Sequence, residues 1–224
     1  MASKYQRKIN NKPLEKFIII AVEGEKTEQE YFGKIRDELK NQNIKLEILS
    51  PIENASHPKN RLADLLSKLK DYSKKDSFWL VCDVDRHHDL PAVIKQAKKE
   101  KIQPIISNPC FEVWLYLYCG DLKIIDDTVH FDATQIMENK VKYNLGCNIA
   151  IINQGELNSQ KMQEIYKKSK VNHHNNHQIA IKKAQELTKN DDVKTFLIEP
   201  KHRGKSHVYK LVQEILENKN TIQH

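Results

Sequence analysis

Glycine, proline and cysteine are scarce in this sequence, and each shortage excludes a class of protein. The 224 residues include 6 glycines and 7 prolines, too few for a collagen-like or low-complexity chain. The four cysteines form no Cys-x-x-Cys pair, which argues against a zinc ribbon or a disulfide framework. Aromatic residues make up 7% of the chain, so they give no special signal for stacking on bases. We therefore expect reduced thiols and an ordinary apolar core.

Long apolar runs are also missing. The longest, at 17–22, is far shorter than the roughly 20 residues that span a bilayer. The first 16 residues are polar and basic, without the apolar region of a signal peptide. We expect a soluble, cytoplasmic protein with no membrane partner.

Several catalytic motifs are absent as well. The sequence has no Gly-x-Ser-x-Gly of a serine hydrolase and no Gly-x-Gly-x-x-Gly of a dinucleotide-binding fold. The segment Gly204-Lys205-Ser206 matches only the end of a P-loop, because Glu199 stands where the first glycine belongs. The order of the acidic residues also differs from that of aspartyl phosphatases and restriction-type nucleases.

Positive charge is in excess and is unevenly distributed. Lys and Arg number 37 against 30 Asp and Glu, which gives a formal net charge of +7. Much of the excess lies in the N-terminal arm and beyond residue 160, where Lys201, Arg203 and Lys205 follow one another without an acidic residue between them. Cationic side chains displace counterions from phosphates. We predict that these three contact a nucleic-acid substrate, although exposed lysines are also common on solvated helices.

The apolar pattern alternates between strands and helices. Short β-branched runs predict strands at 17–22, 44–49, 78–82 and 104–107. Helical spacing predicts helices at 27–40, 61–72, 91–101 and 108–118. Thr27 and Glu30 form a capping box at the first helix. Because the strands lack polar alternation, we predict an α/β fold in which helices cover both faces of a parallel sheet.

The pattern weakens beyond residue 120. Residues 121–158 support no assignment. Further along, we predict helices at 160–170, 178–189 and 208–217, and one more strand at 196–198. We divide the chain into a basic flexible arm at 1–13, a core at 14–120, and a mainly helical C-terminal extension at 121–224.

Three acidic residues follow the ends of predicted strands. Glu23 follows the first strand, and Asp83 and Asp85 follow the third. Carboxyl ends of parallel strands meet at one edge of a sheet. Carboxylates placed together repel each other unless a cation neutralises them, and Mg²⁺ prefers such oxygen ligands. The sequence therefore predicts a Mg²⁺ site, which Mn²⁺ can also fill, at Glu23, Asp83 and Asp85. The other interpretation is that Asp-x-Asp caps the next helix.

Three strings surround these acidic residues: Val-Glu-Gly-Glu-Lys-Thr-Glu at 22–28, Asp-Val-Asp at 83–85 and Asn-Pro-Cys-Phe-Glu at 108–112. They resemble strings of the RloB-like family, which carries a TOPRIM-type domain and is similar to AbiL-type abortive-infection proteins. The resemblance implies a TOPRIM/Rossmann-like sheet and a Mg²⁺-dependent nuclease of prokaryotic antiviral defence. Its substrate would be DNA or RNA, with tRNA one candidate. A partner ATPase from a neighbouring gene is also implied.

The resemblance assigns roles to four acidic residues. Glu23 matches a glutamate that serves as metal ligand or general acid/base in related domains. Asp83 and Asp85 match the metal-binding pair. Glu112 matches the acidic residue of the Asn-Pro-x-Phe-Glu motif, either as a fourth ligand or as an anchor of its helix. We count all four as candidate catalytic residues.

Other polar residues beside these motifs have two interpretations each. Lys26 either holds a phosphate at a helix start or is solvated. His87 either transfers a proton or ligates a metal near the acidic cluster, or it is simply exposed. Asn108 either contacts substrate or, with Pro109 after it, caps a helix.

A histidine-rich segment at 172–177 lies outside the three strings that resemble the family. His173 and His177 have the helical spacing of zinc ligands, with His174 between them. Because no third ligand is evident, we interpret the segment as a polar loop before the helix at 178–189, with a substrate-facing loop as the second choice.

A rival hypothesis is that the chain has the same fold but no catalytic activity. The chain would then be a regulatory or scaffolding module that docks on an ATPase. The sequence leaves the oligomeric state open.

Overall fold

The structure is a computed structural model, and it describes residues 15–39, 42–51, 56–84, 87–118, 175–191, 196–199 and 202–220. The predicted arm at 1–13, the unassigned segment at 121–158 and the helix predicted at 160–170 lie outside these residues.

Strands and helices alternate through the first half of the described chain. The strands are β1 (Lys16–Val22), β2 (Ile44–Leu49), β3 (Ser77–Asp83), β4 (Gln103–Asn108) and β5 (Lys205–Ser206). The helices are α1 (Thr27–Glu38), α2 (Pro58–Lys68), α3 (Leu90–Lys99), α4 (Glu112–Tyr116), α5 (Asn175–Thr188) and α6 (Val208–Asn220). A short 3₁₀ turn, Leu69–Asp71, extends α2.

One five-stranded sheet organises the fold, in the order β2-β1-β3-β4-β5. The first four strands are parallel, as predicted, and β5 pairs antiparallel with β4. The sequence did not predict β5, because two residues are too few to carry an alternating pattern. This strand places Lys205 opposite Asn108 and Ser206 opposite Ser107.

Helices cover both faces of the sheet, as predicted for an α/β fold. Ile18, Ile20 and Val22 of β1 point into a core shared with α1, α4, α5 and α6. The alternate residues Ile19 and Ala21 point into a second core with α2 and α3. Because successive strand residues face opposite sides, a strand buried on both faces reads as a continuous apolar run.

The predicted strand at 196–198 is wrong. Leu197 adopts a left-handed backbone with φ of 58°, which is incompatible with an extended strand. Its side chain is nonetheless fully buried in the second core, beside partly buried Phe196 and Ile198. The apolar triplet therefore reflects burial of an irregular segment.

One predicted helix cap and one predicted helix start are also wrong. Helix α1 begins at Thr27, as predicted, but its N-cap is Lys26, which makes no side-chain cap hydrogen bond, so Thr27 is not the cap of a capping box. The helix predicted from residue 108 begins only at Glu112, because Asn108 still belongs to β4 and pairs with β5.

Two of the four cysteines lie among the described residues. Cys82 and Cys110 are buried free thiols. Within the described ranges, none of the helices has the length and apolar character needed to cross a bilayer.

Candidate functional site

The carboxyl ends of β1 and β3 bring two predicted site residues into contact. β1 and β3 are paired neighbours, with Val22 opposite Val81. Glu23 follows β1 directly, and the backbone N–H of Asp83, the last residue of β3, donates to Glu23 Oε2 at 3.2 Å. Their adjacency was expected from the parallel arrangement. Asp85, the other predicted aspartate, lies outside the described residues.

His87 joins the same pair from the loop before α3. Its Nε2–H donates to Glu23 Oε1, so both oxygens of the glutamate accept hydrogen bonds. The two side chains are largely buried, at 15% and 14% exposure. The structure thus brings Glu23, Asp83 and His87 together, while the predicted roles of these residues stay predictions.

His57, the N-cap of α2, contacts His87. Sequence reasoning missed this residue. The His57 and His87 rings meet edge to face, with centroids 4.8 Å apart. His57 Nε2 lies 3.3 Å from Asp89 Oδ1, and its Nδ1 accepts from the backbone of Lys59. Only the following proline, Pro58, marks His57 in the sequence, and it signals a helix start rather than a site.

Two further carboxyl groups are buried nearby. Glu28 of α1 and Glu112 of α4 are 5% and 8% exposed. Burial, and then the negative charge of Glu112, raises the pKa of Glu28 to about 8. Glu23 contributes to the same shift. The sequence pointed to Glu112 through its motif, but gave Glu28 no role of its own.

The backbone of Gly24 packs directly against the Glu28 carboxyl group. The Gly24 N–H donates to Glu28 Oε1 at 3.1 Å. A Cβ atom built on Gly24 would lie 1.8 Å from Glu28 Oε2, so only glycine lets the carboxyl group approach the backbone this closely. The glycine after Glu23 is therefore explained by the packing of a second acidic side chain.

The thiols beside the strand ends respond to the same negative charge. Burial raises the pKa of Cys82, and Glu23, Asp83 and Glu28 raise it further. Burial likewise raises the pKa of Cys110, with Glu112 and Asp83 adding to the effect. Four carboxyl groups therefore act on one small region at the carboxyl edge of the sheet.

This region offers the donor chemistry of a hard divalent cation. Glu23 and Asp83 supply carboxylate oxygens, which Mg²⁺ and Mn²⁺ prefer. Among the described residues, no three His, Cys, Asp or Glu side chains are grouped as a complete metal site. The carboxylate donors of Glu23 and Asp83 fit the predicted Mg²⁺ or Mn²⁺ ion. Asp85, the third predicted ligand, follows Asp83 by two positions in the sequence.

The C-terminal segment lies against the end of β4, next to this edge. Asp83 is opposite Ser107 in the sheet, and the Ser107 hydroxyl is 2.8 Å from that of Ser206 in β5. The Gly204 N–H donates to the Asn108 carbonyl at 2.7 Å. Although 99 residues separate Ser107 from Ser206 in sequence, the two segments form one edge of the sheet.

The predicted substrate-contacting residues are distributed around this edge. Lys26 is exposed at the start of α1, and Arg203 is half-buried before β5. Lys205 forms an ion pair with Asp191, with Nζ 3.0 and 2.9 Å from its two oxygens. Lys201 lies outside the described residues. Arg203 and Lys205 are thus placed beside β4 by the pairing of β5.

The sequence model of the RloB-like protein family matches residues 18–215. The chain belongs to the RloB-like family. Comparison with curated proteins and with solved structures gave no match. The matched region extends from β1 into α6, so it includes the strand ends that carry Glu23 and Asp83 as well as β5.

Asn108 has a different role in this RloB-like chain from the predicted helix cap. Its side-chain N–H groups donate to the carbonyls of Leu197, at 2.6 Å, and Glu199, at 3.0 Å. The residue is 3% exposed. It ties the irregular segment at 196–199 to β4, and whether it also contacts substrate stays a prediction.

Replacing Asn108 by alanine is expected to lower the free energy of unfolding by about 2–4 kcal/mol, because the buried Leu197 carbonyl and the partly buried Glu199 carbonyl both lose their donor. Urea unfolding followed by circular dichroism measures the change. Asn60→Ala, at an exposed position of α2, is the matched control and should change stability little. A loss under 1 kcal/mol for Asn108→Ala would show that its two hydrogen bonds contribute little to the fold.

The histidine-rich segment also differs from its interpretation as a loop. His177 lies in the first turn of α5, and its Nδ1 is 2.7 Å from the Tyr118 hydroxyl. That hydroxyl is 2.8 Å from the Tyr31 hydroxyl of α1. His177 therefore connects α5 to the core of the RloB-like fold, while His173 and His174 lie outside the described residues.

Proposed function

We propose that this RloB-like protein is a Mg²⁺-dependent phosphodiesterase that cleaves DNA or RNA in prokaryotic antiviral defence. The observation that carries the proposal is the contact of Glu23 with Asp83 and His87 at the carboxyl edge of a parallel sheet. Ligands bind at this edge in α/β proteins. The surrounding carboxyl groups supply the negative potential that a divalent cation requires.

Glu23, Asp83 and Asp85 are the residues that would hold the ion. When bound, Mg²⁺ polarises a phosphoryl group, lowers the pKa of a bound water and stabilises the leaving oxygen. Glu28 remains protonated at neutral pH because its pKa is raised to about 8, so its carboxyl group adds little to the repulsion among the others.

The protein's own groups then orient the reaction. Glu23 is held by donors on both oxygens, from Asp83 and His87, so its direction is fixed before substrate binds. His87 is held in turn by the carboxylate and by the His57 ring, which places an imidazole beside the reacting region. A positioned imidazole suits proton transfer to or from a phosphoester oxygen.

The polyanionic substrate is favoured by two further features. Helices α1, α2 and α3 begin at this edge, because each follows the carboxyl end of a strand, and helix N-termini favour phosphates. Arg203 lies on the adjoining segment beside β4, where the charge of its neighbour Lys205 is compensated by Asp191. Both features attract phosphate without choosing between DNA, RNA and tRNA.

A cleavage assay on mixed substrates tests the proposal. Single-stranded DNA, duplex DNA and total tRNA would be incubated with purified protein in Mg²⁺, Mn²⁺ or EDTA, with and without a neighbouring-gene ATPase. We expect cleavage that needs the metal and is lost in Asp83→Ala. Calorimetry should detect Mn²⁺ binding to the wild type and at least tenfold weaker binding to the variant.

Two results would count against an enzyme. Equal cleavage by wild type and Asp83→Ala would assign the activity to a contaminant. Absence of both Mn²⁺ binding and cleavage, together with stable binding to the ATPase, would favour the regulatory or scaffolding module instead.

A further inference from the structure

Asp191 connects the end of helix α5 to the edge strand β5. Its backbone N–H donates to the Thr188 carbonyl at 3.0 Å, which fixes it just after the helix ends. Lys205 Nζ lies 3.0 and 2.9 Å from the two Asp191 carboxylate oxygens. Because the side chains of Lys205 and Asp191 are only 20% and 12% exposed, water screens this pair less than it screens an ion pair on the open surface. The pair therefore holds β5 against the end of α5.

A second side chain from the same turn approaches Asp191. His202 is 2% exposed, and its Nε2 lies 3.7 Å from Asp191 Oδ1. The backbone N–H of His202 donates to the Glu199 carbonyl at 2.9 Å. Asp191 thus faces both ends of the turn at 202–205, one through a histidine and the other through a lysine.

Arg203 lies inside this turn and differs from both of its anchored neighbours. It is half-buried. Among the residues that the structure describes, its guanidinium forms no hydrogen bond or ion pair. Gly204 follows with φ of 82°, a left-handed backbone conformation that favours glycine, so the direction of the chain beside Arg203 is closely specified. The turn therefore holds an arginine whose charge is available to an anion.

The turn lies at the carboxyl edge of the sheet. Asn108 ends β4, and its carbonyl accepts from the Gly204 N–H at 2.7 Å. Arg203 precedes Gly204, so it lies past the end of β4, on the edge where Asp83 ends β3. Strands β3 and β5 flank β4, so two strand spacings, about 10 Å, separate them. An extended arginine side chain and a phosphate group together can bridge this span.

We infer that Asp191 is a positioning residue that holds the turn at 202–205 so that Arg203 contacts a phosphate of the nucleic acid, an inference that rests on the proposed function. The planar fork of a guanidinium matches the oxygens of a phosphate. Lys205 holds the turn rather than the substrate, because Asp191 already compensates its charge.

Positioning and simple electrostatics predict opposite effects of one substitution. Asp191→Asn keeps the size of the side chain, removes a negative charge and releases Lys205. Charge alone would then strengthen the binding of a polyanion. Loss of the turn that positions Arg203 weakens binding instead.

Binding measured without cleavage tests the inference. Fluorescence anisotropy of labelled single-stranded DNA and of a labelled RNA would be recorded in EDTA on an Asp83→Ala background, over a series of salt concentrations. Arg203→Met should weaken binding about tenfold and lower the slope of log K against log salt by about one. Asp191→Asn should weaken binding about threefold to tenfold. In the double variant the two losses should not add, because Asp191 acts through Arg203.

Glu186→Gln provides the matched control, since it removes one negative charge from an exposed position of α5. Its affinity should equal that of the background protein or exceed it slightly. Equal or tighter binding by Asp191→Asn would overturn the inference, even if that variant is less stable. Additive losses in the double variant, or unchanged affinity and salt slope in Arg203→Met, would also overturn it.

If Asp191→Asn fails to fold, Lys205→Met decides, because it breaks the same ion pair from the other side. The double variant with Arg203→Met should then have the salt slope of Arg203→Met alone. A further fall of about one would show that Lys205 itself binds phosphate, against the inference. Binding that depends on Arg203 and Asp191, without any cleavage by the wild type, would retain the inference and refute the nuclease.

Discussion

Replacing Glu23 by glutamine is expected to reduce the Mg²⁺-dependent cleavage rate by about a thousandfold, within the range known for metal ligands and acid–base groups. Glutamine keeps the size of the side chain and one oxygen acceptor. It loses the negative charge that a divalent cation requires. It also places an N–H₂ group opposite either the Asp83 N–H or His87, both of which donate to Glu23. The site should therefore lose metal affinity and the orientation of His87 together.

Glu25→Gln provides the matched control for that experiment. Glu25 lies in the same loop, two residues from Glu23, and is exposed. Its substitution should leave the cleavage rate within about twofold of the wild type, since a single exposed charge contributes little to a site it does not contact. Initial rates on the best substrate of the mixed assay, at saturating Mg²⁺, give the comparison. Equal losses in both variants, or none in Glu23→Gln, would show that Glu23 has no special role in cleavage.

The stability of the metal-free wild type, relative to that of a Glu28→Gln variant, is expected to fall as pH rises from about 5 to 8. The pKa of Glu28 is raised from 4.5 to about 8 in the folded state, mainly by burial and then by Glu112. The unfolded chain therefore releases its proton at lower pH than the folded chain does. Between these two values the folded state binds more protons, so ionisation favours unfolding. Each pH unit costs about 1.4 kcal/mol, which gives a total of about 3–5 kcal/mol.

Glu28→Gln should flatten this pH dependence. The amide can still accept the Gly24 N–H, but it cannot ionise. Urea unfolding in EDTA at pH 5, 6, 7 and 8 would compare the wild type, Glu28→Gln and Glu38→Gln, the last at an exposed position at the end of α1. We expect Glu38→Gln to follow the wild-type profile. A wild-type profile parallel to that of Glu28→Gln across this range would mean that Glu28 is ionised in the folded protein.

The errors of sequence reasoning share one cause. Thr27 and Asn108 each had the residue type and spacing of a helix cap, yet the local groups they were expected to satisfy are satisfied otherwise. The Glu30 N–H donates to the Lys26 carbonyl, and the Asn108 amide donates across 89 and 91 residues to Leu197 and Glu199. A local motif states which hydrogen bonds a residue can form. Distant segments that compete for the same donors decide which ones it does form.

The sequence by itself determined the parallel part of the sheet and one contact of the site. Apolar runs in β1 and β3 without polar alternation can be buried only on both faces, and parallel pairing then brings Glu23 and Asp83 to one edge. The family motifs pointed to the same residues. These features follow from periodicity within about ten residues, which a single sequence carries.

Only the tertiary structure decided the partners of these residues. It placed β5 beside β4, buried Glu28 near Glu112, brought His57 to His87, and paired Lys205 with Asp191. None of these has a periodic or spacing signal, because each depends on which segments pack together after the sheet has formed. Burial and long-range pairing set the pKa of a carboxyl group and the partner of a basic side chain, and both are properties of the folded chain.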